Sequence, residues 1–234
     1  MRALVISDLH ANWPALEAVL VAEPFDRLLV VGDLVLYEPH APEVVDCVRR
    51  RATLAVRGNH DEALAHWADC RCAPSSKPLA ETTRARHREQ LTLEQIAFLG
   101  ELPPTASTSL DGRILFAVHA SPHDHFYRYT LTPDAAEQHL AEETGDVDTE
   151  YVLLGHTHLP MLRRVGERVV VNPGSVGQPR DGDPRASYAV IEDGQVTLKR
   201  AAYDIERTVG DLRKLMLEED VTNRLIAILR EGAG

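Results

Sequence analysis

Short β-branched apolar runs alternate with helical patterns through the first half of the chain. Arg2–Ser7, Arg27–Val31 and Thr53–Arg57 read as strands, and Pro14–Val21 and Ala41–Arg51 carry apolar residues at helical spacing. This rhythm predicts βαβ units, a mainly parallel sheet and an α/β fold class. Ala68 to Leu102 lacks strand signals and reads as a helical insertion, with a capping box at Thr92-Leu93-Glu94-Gln95. Strands resume at Arg113–Val118 and Tyr151–Leu154, with a Pro133-started helix between them. Two hairpins follow, Met161–Val165 with Arg168–Asn172 and Ser187–Glu192 with Gln195–Ala201, turning at Gly166-Glu167 and Asp193-Gly194. Asp204–Arg230 predicts one or two helices packed on the surface. No repeat or linker divides residues 1–234, so a single domain with the 68–102 insertion is expected.

Composition adds bounds. The chain has 234 residues, 44% hydrophobic and 26% charged, within the globular range. Its longest apolar run, Leu28 to Val31, falls far short of the roughly 20 residues that span a bilayer, so no membrane partner is expected. The N-terminus runs straight into the first strand without a signal-peptide pattern, and Cys47, Cys70 and Cys72 are expected to be reduced cytosolic thiols. A cytoplasmic location follows as the expectation. The net charge of −11 disfavours a nucleic-acid polymer as partner. Whether copies of the chain associate is left open.

The strand endings change the picture. Asp8-Leu9-His10, Gly32-Asp33, Gly58-Asn59-His60-Asp61, His119 and Gly155-His156-Thr157-His158 each follow a predicted strand, at the sheet edge where α/β proteins gather ligand groups. Carboxylate, amide oxygen and neutral imidazole donors suit hard or borderline divalent ions, and one bridging carboxylate can hold two ions about 3.5–4 Å apart. Asp33 is the natural bridge. Any one of these motifs alone reads as a turn with a helix cap, whereas together they point to a metal site.

In this order the motifs resemble the calcineurin-like metallophosphoesterase superfamily. Asn172-Pro173-Gly174-Ser175 and Gln178-Pro179-Arg180 look like its small prokaryotic phosphodiesterase-type branch. The resemblance implies a four-layer αββα sandwich of two mixed β-sheets. It assigns Asp8, His10 and His158 to one metal, Asn59, His119 and His156 to the other, and Asp33 to both. The cofactors it implies are two divalent ions, Mn first, with Fe, Zn, Ni or Co compatible with the donors. It further implies hydrolysis of a small phosphodiester or nucleotide-like phosphoester by a hydroxide held between the ions. His60 would be the general acid, with Asp61 the adjacent candidate to hold it as imidazolium. A non-catalytic interaction scaffold and a nuclease are the alternatives. Leu36 and Tyr37 stand where phosphoprotein phosphatases of the superfamily place an Asp and a phosphate-clamping Arg. Leu36 and Glu38 predict a bulkier, more negative wall, and Ala120 follows His119 where glycine is common.

The remaining polar residues take plainer expectations. Asn12 reads as a helix N-cap. His123 and His125 read as loop surface, with substrate contact the sharper alternative. His40, His66, His87 and His139 read as solvated or internally satisfied, and Arg84, Arg86 and Arg88 as a solvated helix face. Arg180 and Arg185 are the candidates for a phosphate contact.

Overall fold

The computed structural model describes residues 1–234. Strand β1 (Arg2–Ile6) sends Ala3 and Val5 into one apolar compartment and Leu4 and Ile6 into another, so it is buried on both faces. It pairs in parallel with β2 (Arg27–Val30), which pairs in parallel with β3 (Leu54–Ala55). On its other side it meets β9 (Ala186–Glu192), which forms an antiparallel hairpin with β10 (Gln195–Ala201). The second sheet comprises β4 (Thr105–Leu110), β5 (Arg113–Val118), β6 (Tyr151–Leu153), β7 (Met161–Val165) and β8 (Arg168–Asn172), in the order β4-β5-β6-β8-β7. Both sheets are mixed.

Between the sheets lies an apolar layer that includes Val5, Leu29 and Val31 from the first and Leu115, Leu153 and Val171 from the second. The outer face of the first sheet carries α1 (Trp13–Ala22), α2 (Ala41–Arg51), α3 (Asn59–His66), α4 (Lys77–Gln90), α5 (Leu93–Glu101), α7 (Ile205–Lys214) and α8 (Glu219–Glu231). The outer face of the second packs Val152 and Val170 against Leu140 of α6 (Glu137–Thr144). The architecture is therefore the expected αββα sandwich, with helices unevenly shared. No helix is long and apolar enough to cross a membrane.

Several local expectations are corrected. Strand β3 stops at Ala55 because Arg57 N–H turns away to Pro103 O at 2.9 Å. Strand β4 lies outside every predicted element: its sequence is TASTSL, a polar sheet edge, and it turns into β5 at Asp111-Gly112 with φ of +51° and +81°. Helix α6 begins after Ala136, because the Pro133 and Ala135 carbonyls accept from Arg163 at 2.8 and 3.2 Å. The reduced-thiol expectation fails at Cys70 and Cys72. Arg71 between them adopts φ +50°, which folds the segment to a Cα separation of 5.3 Å, and the two form a disulfide while Cys47 stays free.

Candidate metal centre

The carboxyl ends of both sheets meet at one seam. Asp8 and His10 follow β1, Asp33 follows β2 and Asn59 opens α3, all from the first sheet. His119 follows β5, and His156 and His158 follow β6, from the second. Backbone bonds join the loops within each sheet, Asp8 N–H donating to Gly32 O at 3.0 Å and Gly155 N–H to His119 O at 2.8 Å, and His156 N–H crosses the seam to Asp8 Oδ2 at 3.1 Å. The approach is close enough to require glycine at two places. A Cβ on Gly32, itself at φ +86°, would lie 2.7 Å from His119 Nδ1, and one on Gly58 would collide with the Asp33 carboxylate.

Five candidate ligands have left-handed backbones: Asp8, His10, Asp33, His156 and His158, with φ of 54°, 44°, 54°, 67° and 61°. For residues other than glycine this costs about 1–2 kcal/mol each, a strain found where structure is held for a purpose.

The side chains form two donor groups. In the first, Asp8, His10 and His158 bring their ligand atoms within 4.8 Å of one another. His10 Nδ1–H donates to Val35 O at 3.2 Å and His158 Nδ1–H to Gln178 O at 2.6 Å. Each Nε2 is thereby left with its lone pair facing inward, the orientation metal-ligating histidines take. In the second group, Asp33, His119 and His156 lie within the same limit. Asn59 joins them: its Nδ2 donates to Cys70 O at 2.9 Å, which aims Oδ1 at His119 Nε2 and His156 Nδ1, each 3.1 Å away. Asp33 Oδ2 lies between the groups, 3.2 Å from His119 Nε2 and 3.9 Å from His10 Nε2.

Electrostatics suit cations here. Burial pushes His10 and His158 well below the usual histidine value and His156 to about 3, so their lone pairs are free. Burial, helped by Asp33, raises Asp8 to about 7. Burial opposes charge on His119 as well, but the Asp33 carboxylate outweighs it and lifts the imidazole to about 9. Asp33 is in turn held well below the carboxylate range, where His119 and His60 overcome its burial. A proton on His119 thus does the work between the carboxylates that a dication would do. The donor set fits two divalent ions.

His60 is buried, its Nε2 4.0 Å from Asp33 Oδ2 and 3.4 Å from the Tyr37 hydroxyl, and burial lowers it to about 4. Its Nδ1 has no partner. Asp61 is not directed at His60. Its carboxylate accepts from the backbone N–H groups of Asp33, Leu34 and Gly58 at 2.8–2.9 Å, tying two ligand loops together. Over the centre opens a cavity of about 380 Å³ lined by Tyr37, His60, Arg71, Tyr127, Tyr129 and Arg180, among others.

The other expectations resolve individually. Arg180 reaches the cavity, whereas Arg185 is spent on Asp183 with contacts of 2.6–3.2 Å. His123 pairs with Asp146 at 3.2 Å, and neither it nor His125 lines the cavity. The negative wall expected from Glu38 is absent, because Glu38 is fully buried and burial pushes its carboxyl well above the usual range. His87 is buried and satisfied: Nδ1 accepts from Leu36 N–H at 3.1 Å and Nε2–H donates to Glu38 O at 2.8 Å. Asn12 caps α1 through Ala15 N–H at 3.3 Å. Tyr37, Tyr127 and Tyr129 also line the cavity, and the sequence marks only Tyr37, through its place in the Asp33 loop.

Fold and donor groups together make a four-layer αββα sandwich with two candidate metal-binding groups at the seam of its sheets. Residues 1–194 match the calcineurin-like phosphoesterase superfamily domain. The chain belongs to that superfamily. A metallophosphoesterase from Sphaerobacter thermophilus is 34% identical, covers 99% of each chain and superposes with a TM-score of 0.82. An uncharacterized protein of Methanocaldococcus jannaschii is 29% identical over 94% of this chain and 96% of its own. The phosphodiesterase YfcE of Escherichia coli K12 is 27% identical over 82% of this chain and 88% of its own.

Proposed function

We propose that the protein hydrolyses a small phosphodiester or nucleotide-like phosphoester. Asp8, His10 and His158 would hold one divalent ion, Asn59, His119 and His156 a second, and Asp33 would contact both. The observation that carries this reading is the position of Asp33 between two buried donor groups at the floor of the cavity. Bound there, the ions would draw charge from the phosphoryl oxygens and acidify the attacking water. Mn²⁺ is our first choice, and Fe, Zn, Ni or Co suit the same donors.

The chain's own residues supply the rest. Arg180, the arginine of the Gln178–Arg185 segment that lines the cavity, would hold a phosphoryl oxygen. His60, neutral in the free centre, would take up a proton when an anionic ester enters and release it to the leaving alkoxide. Asp61 would act through backbone, keeping the Asp33 and Gly58 loops in register. A cavity of about 380 Å³ and a net charge of −11 favour a small ester over a nucleic-acid polymer. The relative named as a phosphodiesterase supports a diester over a monoester.

The test compares bis-p-nitrophenyl phosphate, p-nitrophenyl phosphate, nucleotides and plasmid as substrates for protein reconstituted with metal. Turnover of small esters with plasmid left intact is expected. A fully metallated protein that turns over none of them would establish a scaffold instead, and preference for plasmid a nuclease.

A further inference from the structure

Tyr37 is held by hydrogen bonds on its backbone as well as by packing. It and Leu36 both have left-handed backbones, φ +73° and +71°, and α4 clamps them: Tyr37 N–H donates to Thr83 Oγ1 at 3.1 Å while His87 holds Leu36 and Glu38 from both sides. Glu38 N–H donates to His10 O at 3.1 Å, which fastens the turn to a ligand loop. The clamp wedges the phenol ring against His10 and His60, with centroids 4.8 and 5.0 Å away. Tyr37 is 1% exposed yet belongs to the cavity wall, together with Asp33, His60 and Arg180.

A phenylalanine would fill the same wedge. The hydroxyl adds a polar group to a buried place beside two others, His60 Nε2 at 3.4 Å, long for a hydrogen bond, and the Arg180 side chain, which donates to it. Both partners line the cavity with Tyr37, so the hydroxyl belongs to the polar side of that wall. The hydroxyl, the imidazole and the Asp33 carboxylate surround one corner of the cavity, where a phosphoryl group shared by the two donor groups would lie.

We propose that Tyr37 is a further catalytic residue, whose hydroxyl donates a hydrogen bond to a non-bridging oxygen of the bound phosphoryl group. The inference rests on the phosphoesterase reading above. It assigns Tyr37 a task distinct from that of His60, since a donor to a non-bridging oxygen serves every ester alike, whatever its leaving group.

The test is Tyr37→Phe, which keeps the ring and removes the donor, in the metal-loaded protein. Metal content and thermal unfolding verify that the centre is intact. Binding of inorganic phosphate, measured by titration calorimetry, should weaken by roughly 10-fold, and turnover should fall by roughly 10- to 100-fold, as when a neutral donor to a charged acceptor is removed. The loss in turnover should be equal for p-nitrophenyl and alkyl esters. Unchanged phosphate binding, or a loss that grows with leaving-group pKa, overturns the assignment while leaving the phosphoesterase reading in place. A metal-loaded wild type that neither binds phosphate nor cleaves esters overturns both.

Discussion

His10 and His158 face each other through their Nε2 atoms across 3.2 Å, while a backbone carbonyl engages the Nδ1 of each. Two inward lone pairs at that distance repel unless a cation or proton lies between them. The same holds around Asp33, where His119 carries the proton. Loading metal must therefore expel protons. With His119 at about 9 and Asp8 at about 7, we expect between one and two protons released at pH 7, and metal affinity that weakens steadily toward pH 5. Calorimetry in buffers of different ionisation enthalpy measures the number directly; zero release would refute the ligand set.

Asp33→Asn should impair the protein more than Asp8→Asn, because Asp33 Oδ2 approaches both donor groups, 3.2 Å from His119 Nε2 and 3.9 Å from His10 Nε2, while Asp8 sits within the first and stands 4.0 Å from His119. We expect Asp33→Asn to lose metal from both groups and Asp8→Asn chiefly from one. Elemental analysis of the folded variants, alongside turnover, decides the order, and the reverse order would remove the bridging role.

His60→Ala should keep its metal, since no ligand is lost, yet slow hydrolysis by about 10²–10⁴-fold. The loss should shrink for p-nitrophenolate, which needs little protonation, and be greatest for alkyl and nucleoside esters. A flat dependence on leaving-group pKa in the fully metallated variant would end the general-acid assignment.

His87 makes stability depend on pH. Burial lowers its value to about 4, below the ordinary 6.5, so the unfolded chain binds more protons in that interval. The stability that depends on a neutral His87 is present above pH 6.5 and is lost as the pH falls toward 4. Between pH 7 and pH 5 the metal-free wild type should lose about 2 kcal/mol more than His87→Gln. Urea unfolding of both proteins at each pH checks this, and parallel pH profiles would contradict it.

The candidate ligands were legible in the sequence because each sits where a β-branched run stops, and strand ends place side chains at one edge. The pairing of two sheets was not legible from periodicity. Leu4 and Val5 are both apolar but face different compartments, so a strand buried on both faces shows no alternation. Strand β4 escaped for the opposite reason: only Leu110 of its residues is fully buried, and an edge strand needs few apolar positions. Glu38 misled because its charge suggested solvent, whereas its backbone bond to His10 draws it inward. Arg180 and Arg185 looked equivalent, though Asp183 two residues before Arg185 already supplied a partner.

Asp8, His10, Asp33, His156 and His158 stand in backbone conformations that glycine would adopt freely. Each replacement by glycine would relieve local strain, at the loss of the hydrogen bonds by which Asp8, His10, Asp33 and His158 hold their loops. The centre is therefore held against the local preference of its backbone. Laboratory evolution for heat tolerance alone, with no demand for activity, should erode those five positions first, toward glycine and asparagine, and leave the apolar layer between the sheets unchanged.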